Sequence, residues 1–533
     1  MSSASLAIPS EQLVWRPKVN PWAIAATVSM AAFIEVLDTS VANVALPYIA
    51  GDLGASYDDS TWVLTSYLAA NAIILPISGW LAELIGRKRY FMISLAIFTI
   101  SSLLCGLAPS LPPLLLFRAV QGIGGGGLQP MAQAILNDTF PPEQRAQAFA
   151  LYGITAVLAP TVGPMLGGWI TDNYSWRWIF FITLPVVLLA LYLTHTLVED
   201  PPFLRRIKSG AVRVDYMGIS LLALGVGSLQ IVLDKGQEDD WFGSHFITTL
   251  VITATVCLVS LVIWEWFRKE PIIDVRMFKS FNFAAANLMM FMMGFMLFST
   301  LVLIPEFLQT LMGYTAELAG LVLSGGGVVL LVMMPVVGRL TSKIQARWLI
   351  ATGWLSLAIG LFYCAHQIDL FISFRFAMWL RVAQVVGIGF LFVPITTAGY
   401  IGIPPEKGNS VSGLINFMRN IGGSIGTSVV TTMIARRAQY HQQILVSHIA
   451  PDSPAYRSSL HGLSSQIAHS GLRAGDAHDQ AIARFYELVH RQGGALSYMD
   501  IFWVLGMLCS VMLVLAFFLK KNDPGAGGEV AVG

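Results

Sequence analysis

FRAVQGIGGGGLQP at 117–130 recurs as LRVAQVVGIGFLFVP at 380–394. Arg118, Gln121 and Gly124 match Arg381, Gln384 and Gly387 at one constant offset of 263 residues, and Pro141, Pro142 and Glu143 match Pro404, Pro405 and Glu406 at the same offset. Upstream, GWLAELIGRKR at 79–89 has a fainter echo in GRLTSKIQARW at 338–348, offset by 259. Both copies lie in stretches apolar enough to cross a bilayer. Two homologous membrane halves in one chain are the organisation expected of a transporter.

Composition supports the membrane reading. The chain is 55% hydrophobic and 12% charged over 533 residues, whereas soluble domains average about 25% charged. Apolar stretches of bilayer-spanning length lie near 22–46, 62–82, 91–108, 112–134, 146–170, 178–197 and 216–234, and again near 245–267, 283–311, 318–340, 348–365, 376–398, 412–434 and 499–519, fourteen in all. The first 20 residues are polar and the first apolar run, from Trp22, is long enough to span, so the sequence predicts a retained membrane anchor and no cleaved leader.

Positive charge sets the orientation, because short loops rich in Lys and Arg stay cytoplasmic. With the N-terminus inside, the inner segments hold 20 of the 32 Lys and Arg residues, while the short outer loops hold only Arg177, Lys235 and Arg375. Both termini are predicted to be cytoplasmic. A net charge of +1 gives no reason to expect nucleic acid. Cys105, Cys257, Cys364 and Cys509 all fall inside predicted spans, which argues against a disulfide framework or a zinc site.

The repeat divides the chain. The sequence predicts a cytoplasmic segment at 1–21, an N-terminal six-helix half at 22–197, and a linker carrying two inserted transmembrane helices at 198–282. A C-terminal six-helix half follows at 283–519, including an external loop at 435–497, and then a cytoplasmic tail at 520–533. The linker begins with a basic, proline-containing stretch at 198–215. The loop at 435–497 is too polar to cross and has helical apolar spacing at Ile482, Phe485 and Leu488, so it reads as an external, partly helical loop.

Ionisable groups inside apolar spans are costly and usually functional. Glu35 and Asp38 lie about mid-span, three apart and so on one helix face. A carboxylate in that setting can hold or release a proton as its hydration and neighbours change, which is what proton coupling requires. Arg118, with Gln121 one turn on, is the evident counter-charge, since an arginine stays protonated and acts by biasing its neighbours. The alternative is a structural role in tying helices together. Arg381 and Gln384 are the repeat partners of that pair, and Glu306 follows Pro305 near the outer end of span 9. With Asn43, Gln129 and Asn416 they form the polar set predicted to line a substrate cavity.

Several motifs fail on context. Gly122, Gly124 and Gly127 fit a dinucleotide fingerprint, but no strand precedes them. There is no phosphate-binding GxxxxGK[ST] loop, so no cofactor is expected and transport must draw on an ion gradient or an unseen partner. Six of nine histidines cluster in 435–497 without a pair three or four apart, and no metal is assigned there. Gly163, Pro164, Gly167 and Gly168 instead suit a closely packed, kinked helix interface. Met289, Met290, Met292, Met293 and Met296 in span 9 suit either packing or a lipid-facing or adaptable cavity wall.

At these residues the chain resembles the major facilitator superfamily, and within it the fourteen-span drug:proton antiporters. LDTSVANVALPYIAGDLGAS at 37–56 looks like that branch's first-span signature, and GWLAELIGRKR like the superfamily's motif between spans 2 and 3, with Gly79, Gly86 and Arg87 in place and Glu83 where an aspartate is usual. RAVQGIGGGG at 118–127 is similar to the motif linked to proton coupling, and APTVGPMLGGW at 159–169 to the antiporter motif of exporters. The resemblance implies an all-α major facilitator fold of fourteen transmembrane helices and no enzymatic activity. It also implies a proton-driven multidrug pump of a bacterial inner membrane, exporting amphipathic or hydrophobic drug-like substrates. A periplasmic membrane-fusion adaptor and an outer-membrane channel are the implied partners, with 435–497 placed to help dock the adaptor. Glu35 stands where some relatives are uncharged, so coupling is expected to centre on Asp38. A narrow-substrate exporter of a fatty acid, siderophore or metabolite would share these motifs, and a non-transporting membrane receptor would keep the fold without needing Asp38 and Arg118 together.

Overall fold

The structure is a computed structural model describing residues 17–200, 215–268, 271–404, 407–447, 449, 453–469 and 474–520. The N-terminal segment up to 16, the basic stretch 201–214, the repeated Pro405 and Glu406, and the tail from 521 lie outside the described residues. The described residues are helical, without strands.

The N-terminal half comprises α1 (Pro21–Leu53), α2 (Tyr57–Ile85), α3 (Arg87–Gly106), α4 (Leu111–Gly125), α5 (Leu128–Thr139), α6 (Pro142–Asn173), α7 (Trp178–Phe181) and α8 (Thr183–Leu197). The inserted pair is α9 (Tyr216–Lys235) and α10 (His245–Phe267). The C-terminal half comprises α11 (Phe281–Glu306), α12 (Ala316–Thr341), α13 (Ala346–Gln367), α14 (Phe374–Gly399), α15 (Gly408–Ser447), α16 (Pro454–Ala468) and α17 (Ala474–Ala516). Among the described residues, twelve helical stretches are long and apolar enough to cross a membrane. The other two predicted spans fall on α4 with α5, which at 15 and 12 residues are each too short to cross alone, and on α15, whose polar residues lower its hydropathy.

The repeat is visible in the packing. A Cβ on Gly124 would meet the backbone nitrogen of Phe98 at 2.7 Å, and one on Gly387 would meet that of Leu357 at 2.6 Å. Spans 3 and 4 of each half are thus pressed together through corresponding residues, with Phe98 and Leu357 related by the offset of 259. Gln121 meets the Cys105 sulfur at 3.7 Å, as Gln384 meets that of Cys364 at 3.2 Å.

Two features differ from the sequence expectation, and a third decides between alternatives it left open. Span 4 is broken: the glycine run disfavours helix, and α4 stops at Gly125 before α5 resumes at Leu128. The stretch 435–497 is helical over most of its described length, because α15 and α17 continue for 40 and 43 residues. At about 1.5 Å per residue each is roughly 60 Å long, about twice the hydrocarbon core. Polar contacts sustain them beyond the apolar region: Arg437 and His441 both reach Asp500, at 2.5 and 2.7 Å. Finally, the methionines of α11 are buried, Met289, Met293 and Met296 completely, so they pack inside the bundle and do not face lipid.

The glycine motifs fall where helices touch. Gly163 and Gly167 on α6 lie against Ser40 and Val41 on α1, where a Cβ would come within 2.4 and 3.0 Å. Pro164 sits between them and Pro160 a turn earlier, with Pro160's carbonyl accepting from Ser40 Oγ at 3.3 Å. Gly168 is not in that contact, its nearest neighbour being 3.9 Å from a built Cβ. Gly86 joins α2 to α3 with φ of +97°, a conformation that excludes an ordinary side chain without strain. At the same end of the bundle the halves meet: a Cβ on Gly79 would lie 2.9 Å from Ser410 nitrogen, and one on Gly338 2.8 Å from Ala150 Cβ. Arg87 pairs there with Asp138 in a buried ion pair, while Glu83 is half-buried on the last turn of α2.

Candidate functional site

The helix pitch carries Glu35 and Asp38 on α1 into the interior, only 4% and 2% exposed. Although they share a helix face, their carboxylates enter two separate networks.

Asp38 faces α4. Its Oδ2 accepts from Arg118 Nη1 at 2.5 Å and its Oδ1 from Gln121 Nε2 at 3.0 Å. Arg118 also donates to Gln121 Oε1 at 2.8 Å and, through Nε, to the Val63 carbonyl at 3.0 Å. The guanidinium lies over the Tyr67 ring at 4.4 Å and near Phe180 at 5.6 Å. A protonatable acid is thereby clamped by a permanent cation, an amide and two aromatic faces. A buried pair of this kind is strongly destabilised when one member is removed, by about 3–5 kcal/mol.

Glu35 faces α2 and α5. It accepts from Asn71 Nδ2 at 2.9 Å, from the Tyr67 hydroxyl at 3.1 Å, and from Gln129. Gln129 in turn accepts from Arg419 on α15 and from the Tyr152 hydroxyl, the latter at 3.2 Å. Asn416, one turn before Arg419, donates to Gln133 at 2.9 Å and accepts from Tyr152 at 3.4 Å. The Glu35 network therefore bridges the two halves, from α1 through α5 and α6 to α15. Tyr67 touches both networks, through its hydroxyl to Glu35 and its ring to Arg118.

The remaining predicted residues are dispersed. Arg381 and Gln384 form their own buried cluster with Thr300 on α11. Asn43 is exposed, one turn beyond Asp38, and joins neither network. Glu306 is half-buried at the end of α11, with one carboxylate oxygen lacking a hydrogen-bond partner. Tyr67, Asn71, Gln133, Tyr152 and Arg419 complete the networks but were not singled out as site residues from sequence. Arg419 carried a signal, being a charge inside a predicted span, whereas the neutral partners had none. Among the described residues no cluster of His, Cys, Asp and Glu is arranged to hold a metal ion.

Buried polar networks between two repeated helical halves define a membrane transporter, and the comparisons give its family. Residues 28–427 match the Major Facilitator Superfamily, and the chain belongs to that family. It is 38% identical to the multidrug export protein EmrB of Escherichia coli over 94% of this chain and 95% of that one. It is also 37% identical to the fatty acid resistance protein FarB of Neisseria gonorrhoeae, covering 94% of this chain and 96% of the other. Among solved structures, the proton:xylose symporter XylE shares the fold, with a TM-score of 0.60, 14% identity and coverage of 95% and 97%. The protein is thus a multi-pass membrane transporter of the major facilitator fold, not an enzyme.

Proposed function

We propose that this chain exports amphipathic or hydrophobic drug-like molecules from a bacterial cytoplasm across the inner membrane, in exchange for protons. Its likeness to EmrB over nearly the whole of both chains supports the export reading. The observation that carries proton coupling is the buried pair of Asp38 with Arg118 and Gln121. Ionised Asp38 holds α1 to α4 through the guanidinium. A proton on that carboxylate cancels the ion pair and leaves Arg118 with Val63, Gln121 and the two rings. Glu35 supplies a second switchable acceptor, in a network that ends on Arg419 of the other half. Proton occupancy at α1 is thereby linked to the seam along which the halves rock, and the rocking alternately opens the cavity to each side.

Both termini lie in the cytoplasm on this reading, which puts the Gly79, Arg87 and Gly338 contacts at the cytoplasmic end and the extensions of α15 and α17 in the periplasm. Those extensions, with exposed Tyr440, Tyr486 and Leu488, offer a platform for a periplasmic adaptor that passes substrate to an outer-membrane channel. Export measured in everted vesicles, with and without a protonophore, tests the function. Gradient-driven accumulation of dye is expected, and uptake that ignores the gradient would refute coupling.

A further inference from the structure

The inserted pair has no counterpart in the repeat, yet α9 is bonded to both halves. Toward their inner ends α2 and α15 meet directly: a Cβ on Gly79 would lie 2.9 Å from Ser410 nitrogen, and one on Gly413 3.2 Å from the Leu75 carbonyl oxygen. About 20 Å further along α15, at Ser424, it is α9 that reaches each helix. α10 packs on α9 at Gly225, where a Cβ would come within 2.9 Å of Leu258, and turns Ile252, Val256 and Val259 outward. The polar contacts of α9 are thus covered by α10 on one side and by the two halves on the other.

The two attachments differ in kind. Toward the N-terminal half, buried Lys235 donates from Nζ to the Asp58 carbonyl at 2.8 Å and to the Thr61 hydroxyl, both in the first turns of α2, and lies 5.6 Å from the centre of the Trp62 ring. Two turns earlier, a Cβ on Gly227 would meet Ile73 of α2 at 3.3 Å. Toward the C-terminal half, the buried Gln230 amide meets the Ser424 hydroxyl, Nε2 at 3.0 Å and Oε1 at 3.1 Å, and Nε2 also donates to Asp234 Oδ1 at 3.0 Å. Ser424 moves with its own half, because Gly423 and Gly426 press α15 onto Phe298 and Phe295 of α11, where Cβ atoms would come within 2.4 and 2.6 Å. Hydrogen bonds from an ammonium are roughly twice as strong as those between neutral groups, so when the halves separate the bond that yields is Gln230 to Ser424. We propose that α9 belongs to the N-terminal rocking body, and that Gln230, held in place by Asp234, is a latch on the C-terminal half that opens in every transport cycle. The inference rests on the export reading and gives the inserted pair a place in its cycle.

The test locks α9 to one half at a time. Cysteine pairs are placed in the full chain at Gln230→Cys with Ser424→Cys and at Gly227→Cys with Ile73→Cys, and joined by a short bis-methanethiosulfonate that dithiothreitol removes. Ethidium export is measured before joining, after it and after reduction, so that each variant is its own control for folding. Joining α9 to α15 is expected to slow export at least tenfold, reversibly, while joining α9 to α2 changes it less than twofold. Undiminished export with α9 fully joined to α15, or arrest when it is joined to α2, would overturn the latch. A second readout needs no flux: spin labels at Gln237 with Asp59, and at Gln237 with Gln439, report distances from α9 to each half in nanodiscs, in acidic and in alkaline buffer. The first distance is expected to stay single and the second to take two values, with Gln230→Leu and Ser424→Ala each shifting the second toward the longer one and the double variant adding nothing. A split first distance, or a second distance that stays single throughout, would also overturn it. If ethidium is not exported at all while the second distance still takes two values, the export reading fails and the latch stands.

Discussion

Asp38 and Arg118, 80 residues apart in sequence, meet at 2.5 Å in a part of the bundle where neither is more than 2% exposed. This pair joins the first span to the fourth, and the chemistry proposed for the protein turns on whether its carboxylate carries a proton.

Replacing Arg118 separates the structural from the coupling role of that pair. Arg118→Ala leaves Asp38 buried without its cation and should destabilise the folded protein by about 3–5 kcal/mol, read as a fall in the thermal unfolding temperature in detergent. Arg118→Lys keeps the charge but cannot donate at once to Asp38, Gln121 and Val63 with the guanidinium's geometry. It should remain folded and lose at least tenfold in export rate.

Glu35→Gln probes the bridge between the halves. The amide still accepts from Tyr67 and Asn71 but no longer provides a charge for the chain through Gln129 to Arg419. Export is expected to fall while binding of an uncharged dye persists. Arg419→Gln should give the same phenotype, and the double variant should be no worse than either single one, since residues of one network are not additive.

The glycines of α6 give a steric prediction. Gly163→Ala would place a methyl 2.4 Å from Ser40 Oγ, whereas Gly168→Ala has 3.9 Å of room. The first should destabilise by about 1–3 kcal/mol and slow export, and the second should be nearly neutral, both checked by thermal unfolding and flux on the same preparations.

Outside the spans, Asp274 lies between Lys407 at 2.6 Å and Arg276 at 3.2 Å. Partial burial pushes its carboxyl up, but the hydrogen bonds and charges of the two cations outweigh this and hold it below the usual value of 3.8. A depressed carboxylate adds stability above its unfolded pKa and loses it as the pH falls through the folded value. Asp274→Asn should therefore narrow the gap in thermal stability between pH 7 and pH 3. An unchanged gap would show that the cluster contributes nothing.

Much of this architecture is legible in the chain because membrane solvation imposes simple rules. Spans must be long and apolar, and a duplicated half keeps its register, so the offset of 263 pairs Gly124 with Gly387, and the packing matches Cys105 with Cys364 at the offset of 259. Arg118 could be named as the counter-charge because few charges occur inside spans. That it would choose Asp38 over Glu35 was not legible, since the choice depends on α2 presenting Asn71 and Tyr67 to Glu35. The bridge to Arg419 depends on the packing of α15, 290 residues from Gln129. The apolar spacing at Ile482, Phe485 and Leu488 marked helix in the stretch that α17 covers, but the unbroken continuation of α15 and α17 out of the bilayer depends on contacts such as Arg437 with Asp500.

The most direct test of proton coupling is ethidium transport in everted vesicles from cells lacking their own pumps, comparing wild type with Asp38→Asn at equal membrane levels, with and without a protonophore. The account predicts gradient-driven uptake in the wild type, abolished by the protonophore and absent in the variant. Full gradient-driven transport by Asp38→Asn would contradict it and remove Asp38 from the mechanism.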